Sequence, residues 1–311
     1  MDETRVSRRG LLGAAAGTAV AAGFAPAVAR GGAQAHMSAR TEFLIPRQNI
    51  GIQLYTVRNL ADADLPGLLA LLAEIGYSEV EPFTFHGRTA AEFRALLDAN
   101  GLRAIGSHVG TNRWRTELET VLDEAETMGQ EYVGVSFVTL PGDPNINITA
   151  YRSFAHEFNT WGEAAADRGL TFYFHNHGWD FTVDRGRVLY DVLLEETDDD
   201  LVFFELDLYW IIQGGANPLD YLTKYDQRRW PLFHAKDRTA GGDFADLGAG
   251  TIDFARIFGT LENKNYHHYL VERDTLAHPV ETAEIGYEYL RTLRGRTVRK
   301  GAGKSRRTGA R

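Results

Sequence analysis

Residues 148–177 read ITAYRSFAHEFNTWGEAAADRGLTFYFHNH. Residues 148–168 have the length and mixed polarity of a helix, and Arg168-Gly169 stops it. Residues 170–177 (LTFYFHNH) then form an apolar run of strand length. Strand alternation places His175 and His177 on one face and Asn176 on the other. A helix, a glycine stop and a strand ending in ionisable side chains make one unit of a parallel sheet, with its chemistry at the strand's C-terminal end.

The unit recurs along the chain. Strand-length runs fall at 50–56, 78–83, 102–108, 131–138, 170–177, 201–207, 230–236 and 267–273. Helix-length amphipathic segments fall at 62–75, 89–100, 114–128, 148–168, 186–196, 217–226, 252–260 and 278–292. Leu65, Leu68, Leu69 and Leu72 carry the stripe of a helix packed on a sheet. Eight units in about 250 residues, with no break in composition, predict an α/β fold: a single closed (β/α)8 TIM barrel over residues 37–293. No Gly-x-Gly-x-x-Gly or Walker-type loop follows the first strand, which argues against an open nucleotide-binding sheet.

The 311 residues carry 33 Lys and Arg against 42 Asp and Glu, for a net charge of −9. Residues 1–36 hold four Arg and two acids, and residues 291–311 hold nine basic residues and no acid. The segment between them, 37–290, has 40 acids against 20 bases. So negative a body repels nucleic acid and anionic membranes and helps to hold cations. The absence of Cys excludes disulfides, thiolate nucleophiles and sulfur-ligated metal centres.

Arg8-Arg9-Gly10-Leu11-Leu12 opens a run rich in Ala and Gly that ends near Ala27-Val28-Ala29. This pattern resembles a twin-arginine signal peptide, so residues 1–36 are expected to be a leader recognised by the twin-arginine export machinery. The protein is then expected to be periplasmic or secreted. The competing reading, an uncleaved membrane anchor, is weakened because Ala and Gly make the run only weakly apolar. Residues 294–311 show no apolar periodicity and read as a basic disordered tail. Between the ends no stretch is long and apolar enough for a membrane span.

In a barrel of this kind, functional side chains gather at the C-terminal ends of the strands. Those positions carry Gln53 and Tyr55, Glu81, His108, His175 and His177, Asp207, His234 and Lys236, and Glu272. Any one of them has a plain structural reading as a hydrogen-bonded core or rim residue. Convergence of so many on one face is harder to explain that way, because unpaired ionisable groups there are costly. Asp207, His234 and Glu272 close neighbouring strands and form an N/O ligand set suited to Mn²⁺, Mg²⁺, Co²⁺ or Zn²⁺. The fourth ligand is expected from strand five, with His175 the deeper candidate and His177 the rim candidate.

The motifs Gly51-Ile52-Gln53-Leu54-Tyr55, Phe174-His175-Asn176-His177, Asp207-Leu208-Tyr209-Trp210, His234-Ala235-Lys236-Asp237-Arg238 and Val271-Glu272 together resemble the xylose isomerase-like TIM barrels. That group, also called sugar phosphate isomerases/epimerases, includes sugar epimerases, inosose dehydratase and the endonuclease IV branch. The resemblance implies a divalent metal held by residues of strands five to eight, here His175, Asp207, His234 and Glu272. The epimerases carry Glu where His175 stands, and the His-Asn-His form is closer to the inosose-dehydratase-type branch.

The resemblance also implies proton abstraction next to a carbonyl through an enediolate. Glu272 would be ligand and base, His177 or Glu81 the partner acid/base, and Lys236 an oxyanion holder. Gln53, Tyr55, His108 and Arg238 would contact substrate, with Trp179, Tyr209 and Trp210 stacking on a sugar ring. The expected function is an exported isomerase or epimerase of a sugar or keto-sugar, with a keto-sugar or keto-glycoside dehydratase as the second reading. The non-catalytic alternative is a sugar-binding barrel. Nuclease chemistry fits poorly with the acidic core.

Overall fold

The structure is a computed structural model and describes residues 41–296. The expected leader lies outside the described residues, as does the basic tail from residue 297 onward. The strands are β1 (Ile50–Gln53), β2 (Glu79–Glu81), β3 (in two pieces, Arg103–Ala104 and His108–Val109), β4 (Tyr132–Val135), β5 (Thr171–His175), β6 (Val202–Asp207), β7 (Leu232–Ala235) and β8 (His268–Val271). The helices are α1 (Arg58–Ile75), α2 (Ala90–Ala99), α3 (Thr111–Thr116), α4 (Leu118–Met128), α5 (Ile148–Ala166), α6 (Leu189–Glu196), α7 (Leu208–Gln213), α8 (Pro218–Lys224), α9 (Phe254–Gly259) and α10 (Pro279–Thr292).

All pairings among the eight strands are parallel and run in chain order, with β8 returning to β1. The ring closes through β3. Its first piece pairs with β2 and its second with β4. Between them Ile105 donates its N–H to Val80 and accepts from Tyr132, both at 3.1 Å. The protein is therefore the closed barrel that the eight-fold pattern predicts.

Alternation along each strand sorts the side chains into two cores. Outward-facing Phe172, Phe174, Phe204, Leu206, Phe233 and Tyr269 pack under the helices in the main apolar cluster. Inward-facing Ile105, Tyr173, Leu232 and Leu270 form a separate buried plug. Two residues beyond three of those plug positions come His175, His234 and Glu272, so the apolar filling is the floor on which the polar site stands.

The structure departs from the sequence expectations in three places. The first helix starts earlier, at Arg58, and kinks at Asp64, whose side chain accepts the Gly67 N–H at 3.1 Å beside Pro66. The segment expected as one helix over 114–128 is broken at Glu117 into α3 and α4. Residues Arg294–Arg296, expected to begin the disordered tail, instead pair antiparallel with Thr41–Phe43, and the Arg294 guanidinium lies 3.9 Å from the Phe43 ring centroid. Backbone pairing gives those residues the order that their composition did not suggest. Among the described residues no helix is long and apolar enough to cross a membrane.

One glycine makes the floor possible. A Cβ at Gly134 on β4 would fall 2.6 Å from three ring carbons of Tyr173, which reaches across the barrel to hydrogen-bond Glu81. Gly134→Val is expected to destabilise the fold by about 1–3 kcal/mol, the usual range for overpacking. Chemical denaturation against the wild type measures it, and an unchanged midpoint would show that the ring has room to move.

Candidate active site

His175 at the end of β5, Asp207 at the end of β6, His234 on β7 and Glu272 just beyond β8 are all buried, and one ligand atom from each lies within 4.8 Å of the others. His234 Nδ1 is 2.7 Å from Glu272 Oε2 and 3.7 Å from Asp207 Oδ2, while His175 Nε2 is 3.9 Å from Asp207 Oδ2. His234 Nδ1 and Asp207 Oδ2 are buried and make no well-directed hydrogen bond; their near neighbours are the charges of Glu272 and Lys236. Buried polar atoms without directed partners are costly, and a cation at the point where the four side chains converge would engage both. Two imidazoles and two carboxylates fit Mn²⁺, Co²⁺ or Zn²⁺.

The rest of each ligand is already occupied, which fixes which atom it presents. Asp207 Oδ1 accepts the Trp210 N–H at 2.8 Å and so caps α7, leaving Oδ2 for the site. Asn176, the residue on the opposite face of β5, accepts the Asp207 N–H at 3.0 Å and locks the two strands together. His175 Nδ1 lies 3.0 Å from Glu205 Oε2, so a proton on Nδ1 leaves Nε2 facing the site. His234 Nε2 is 2.9 Å from both Glu205 Oε1 and Glu81 Oε2, which leaves Nδ1 for the metal.

Electrostatics reinforce these roles. Burial, together with His234 and His108, holds His175 well below the usual imidazole range, so its ring is neutral. Burial pushes His234 down, but the Glu205 and Glu272 carboxylates outweigh it and hold the ring well above the usual range. A bound metal ion would take the place of that extra proton. Burial alone would raise Glu272, yet Lys236 and His234 bring it well below the usual carboxylate range.

Above the four ligands opens a cavity of about 400 Å³. It is lined by Tyr55, His108, His175, His177, Trp179, Lys236 and Glu272 from the sequence-derived set. Lys236 is clamped: its Nζ lies 2.6 Å from Asp274, 2.9 Å from Glu272 and 3.4 Å from Asp207. His177 stacks on Trp179 at 4.4 Å, and its Nδ1 is buried without a partner. The turn Gly178–Phe181 that carries this pair is anchored by Asp180, whose carboxylate accepts the His177 N–H at 2.6 Å and the Tyr151 hydroxyl.

Other expected residues sit elsewhere. Glu81 lies beneath the cavity, fully buried, bonded to Gln53 at 2.6 Å and to Tyr173, and beside His234. It positions a ligand and has no path to a substrate, so His177 is left as the partner that faces the cavity. Gln53 is buried in the same layer and orients Glu81. Tyr209 bonds the Gly242 carbonyl at 2.8 Å and stacks on Phe244 at 4.5 Å, so it packs a hairpin and does not line the cavity. Trp210 backs His177 at 5.3 Å from behind the wall, and Arg238 lies in the short hairpin with Phe244. Glu205, Phe83, Phe137, Leu140 and Asp274 were not singled out from the sequence. Glu205 was legible as the residue two before Asp207 on the same strand face.

Residues 69–293 match the family model described as xylose isomerase-like TIM barrel, and the chain belongs to that family. It is similar to the inosose dehydratase of Clostridium botulinum (strain Eklund 17B / Type B), 29% identical over 172 residues. That alignment covers 48% of this chain and 57% of the relative, little more than half its length. The inosose dehydratase of Geobacillus kaustophilus is 26% identical over 281 residues, covering 74% of this chain and 90% of the relative. A sugar phosphate isomerase/epimerase structure from Parabacteroides distasonis has the same fold, with a TM-score of 0.66 at 23% identity over 82% of this chain and 97% of its own.

Glu205→Gln is expected to weaken metal binding by about 10- to 100-fold while leaving all four ligands in place. Titration calorimetry with Mn²⁺ measures this, and wild-type affinity in the variant would remove Glu205 from the site's support. Burial pushes the Asp180 carboxyl up to about 7, overcoming its bonds to His177 and Tyr151. The folded state then binds more protons than the unfolded state between pH of about 4 and 7, so Asp180 makes stability fall as pH rises through that window. Asp180→Asn is expected to flatten that part of the pH–stability curve; an identical slope in wild type and variant would contradict it.

Proposed function

We propose that the protein is a divalent-metal-dependent dehydratase, a lyase that eliminates a β-substituent from an unphosphorylated keto-polyol. This reverses the order of the two sequence-derived readings. The observation that carries it is the asymmetry of the cavity, where a single ligating carboxylate, Glu272, faces an imidazole, His177. The epimerases that this chain resembles place a glutamate on each side of the substrate, whereas here the pair is one carboxylate and one imidazole, which supplies the base and the donor to the leaving oxygen that elimination requires. The similarity to enzymes named inosose dehydratase supports the same reading.

His175, Asp207, His234 and Glu272 would hold the ion. When bound, it supplies Lewis-acid polarisation of the substrate carbonyl and offsets negative charge that develops on that oxygen. Glu272, kept ionised by Lys236, accepts the proton from the carbon next to the carbonyl. His177 holds an N–H toward the leaving oxygen, and the Trp179 stack fixes its ring. Lys236 is the only Lys or Arg among the described residues lining the cavity, and three carboxylates already neutralise it. Apart from the ion, a phosphate would find no unpaired side-chain cation there, which supports an uncharged substrate.

Proton NMR in D₂O with an inosose and the Mn²⁺-loaded protein tests the proposal. Loss of the α-proton signal together with a new enone product is expected. Exchange that yields only an epimer or an isomeric ketose would sink the dehydratase reading. Glu272→Gln is expected to slow the reaction by about 10²- to 10⁴-fold at saturating metal.

A further inference from the structure

The described residues expose six large apolar side chains, namely Phe43, Tyr55, Phe137, Leu140, Val183 and Ile285. Three of them, Tyr55, Phe137 and Leu140, line the same cavity, and half-buried Phe83 joins them there. They are 38%, 40% and 54% exposed, in the order given, at the rim of a site whose floor is charged. Scattered surface apolar residues need no explanation, but a cluster at the mouth of a cavity marks a binding surface.

The cluster occupies one side of the mouth. The metal ligands come from the β5–β8 half of the barrel, while Tyr55, Phe83, Phe137 and Leu140 follow β1, β2 and β4. The wall is braced. The Arg58 guanidinium lies 3.8 Å from the Tyr55 ring centroid and donates to the carbonyls of Tyr55 and Asp274, and the Phe83 ring meets Tyr55 edge-on at 5.2 Å. Phe137 also stands edge-on to His177, with centroids 6.3 Å apart. A group attached to the leaving oxygen that His177 serves would therefore lie on Phe137.

We infer that this wall is a subsite for an apolar, ring-bearing leaving group, and that the substrate is a keto-glycoside in which the bond eliminated is the glycosidic C–O bond. The inference rests on the dehydratase reading and specifies its leaving group. The proton on the carbon between the ketone and the anomeric carbon passes to Glu272. The electron pair of that C–H bond forms the new C=C, and the glycosidic C–O bond breaks with its pair on the aglycone oxygen. That oxygen takes the proton that His177 holds toward it; His177 regains a proton from water and Glu272 returns its own to water, so an unsaturated keto-sugar and a free alcohol leave with no change in oxidation level overall.

The test compares benzyl and ethyl 3-keto-glucosides, whose alkoxide leaving groups have similar basicity, on the Mn²⁺-loaded protein, with an inosose alongside. The wild type is expected to favour the benzyl compound in kcat/KM by about tenfold or more, the factor that burying a ring supplies. Phe137→Ser/Leu140→Ser is expected to bring the benzyl-to-ethyl ratio close to one. A wild-type ratio near one overturns the inference without needing any variant, and so does a ratio that the double substitution does not move. Dehydration of the inosose with neither glycoside eliminated overturns this inference alone. Absence of α-proton exchange with all three compounds overturns the dehydratase reading and this inference together.

Discussion

The carboxylate of Glu205 lies below the barrel mouth with no access to water, and three imidazoles meet it: His108 at 2.8 Å, His175 at 3.0 Å and His234 at 2.9 Å. A buried carboxylate is tolerable only when fully engaged, and engaging it in this way dictates the orientation of each ring. Two of the rings are thereby turned so that their other nitrogens point up, toward Asp207 and Glu272. The geometry of the site, including the convergence of four ligand atoms that suits a cation, follows from that shared carboxylate and from Glu81 beside it.

The floor explains how such a layer survives inside an apolar barrel. Tyr173, Leu232 and Leu270 fill the space beneath, and Gly134 leaves room for the Tyr173 ring. The plug separates two buried charged clusters: Glu79 with His268 and Arg103 near the strand starts, and the site layers, where Lys236 balances Glu272, Asp207 and Asp274. The acidic bias of the core, 40 acids against 20 bases in residues 37–290, thus includes a concentrated component at the site.

The eight strands and the principal helices were legible because period-two and helical apolar patterns alternate without interruption, and strand alternation alone put His175, Asp207, His234 and Glu272 on inner faces. Depth was not legible. Gln53 and Glu81 end their strands as His175 ends β5, but barrel stagger sets them a layer lower, and no local pattern reports stagger. Glu205 lies two residues before the end of its strand, where an inward-facing side chain is ordinarily part of the apolar filling. The six residues of α7 lie between the expected strand 201–207 and helix 217–226, and Asp207, a candidate ligand, also caps α7. The apolar rim lies on connecting segments, where periodicity carries no information about which residues share a cavity.

His175, Asp207, His234 and Glu272 are placed to hold one divalent ion. Anomalous diffraction from crystals of the protein grown with Mn²⁺, collected above and below the manganese edge, tests it most directly. A single anomalous peak within bonding distance of all four side chains, lost in Asp207→Ala/His234→Ala, is the result this account requires. Crystals that contain manganese with no peak at that position, or with the ion bound elsewhere, would contradict it.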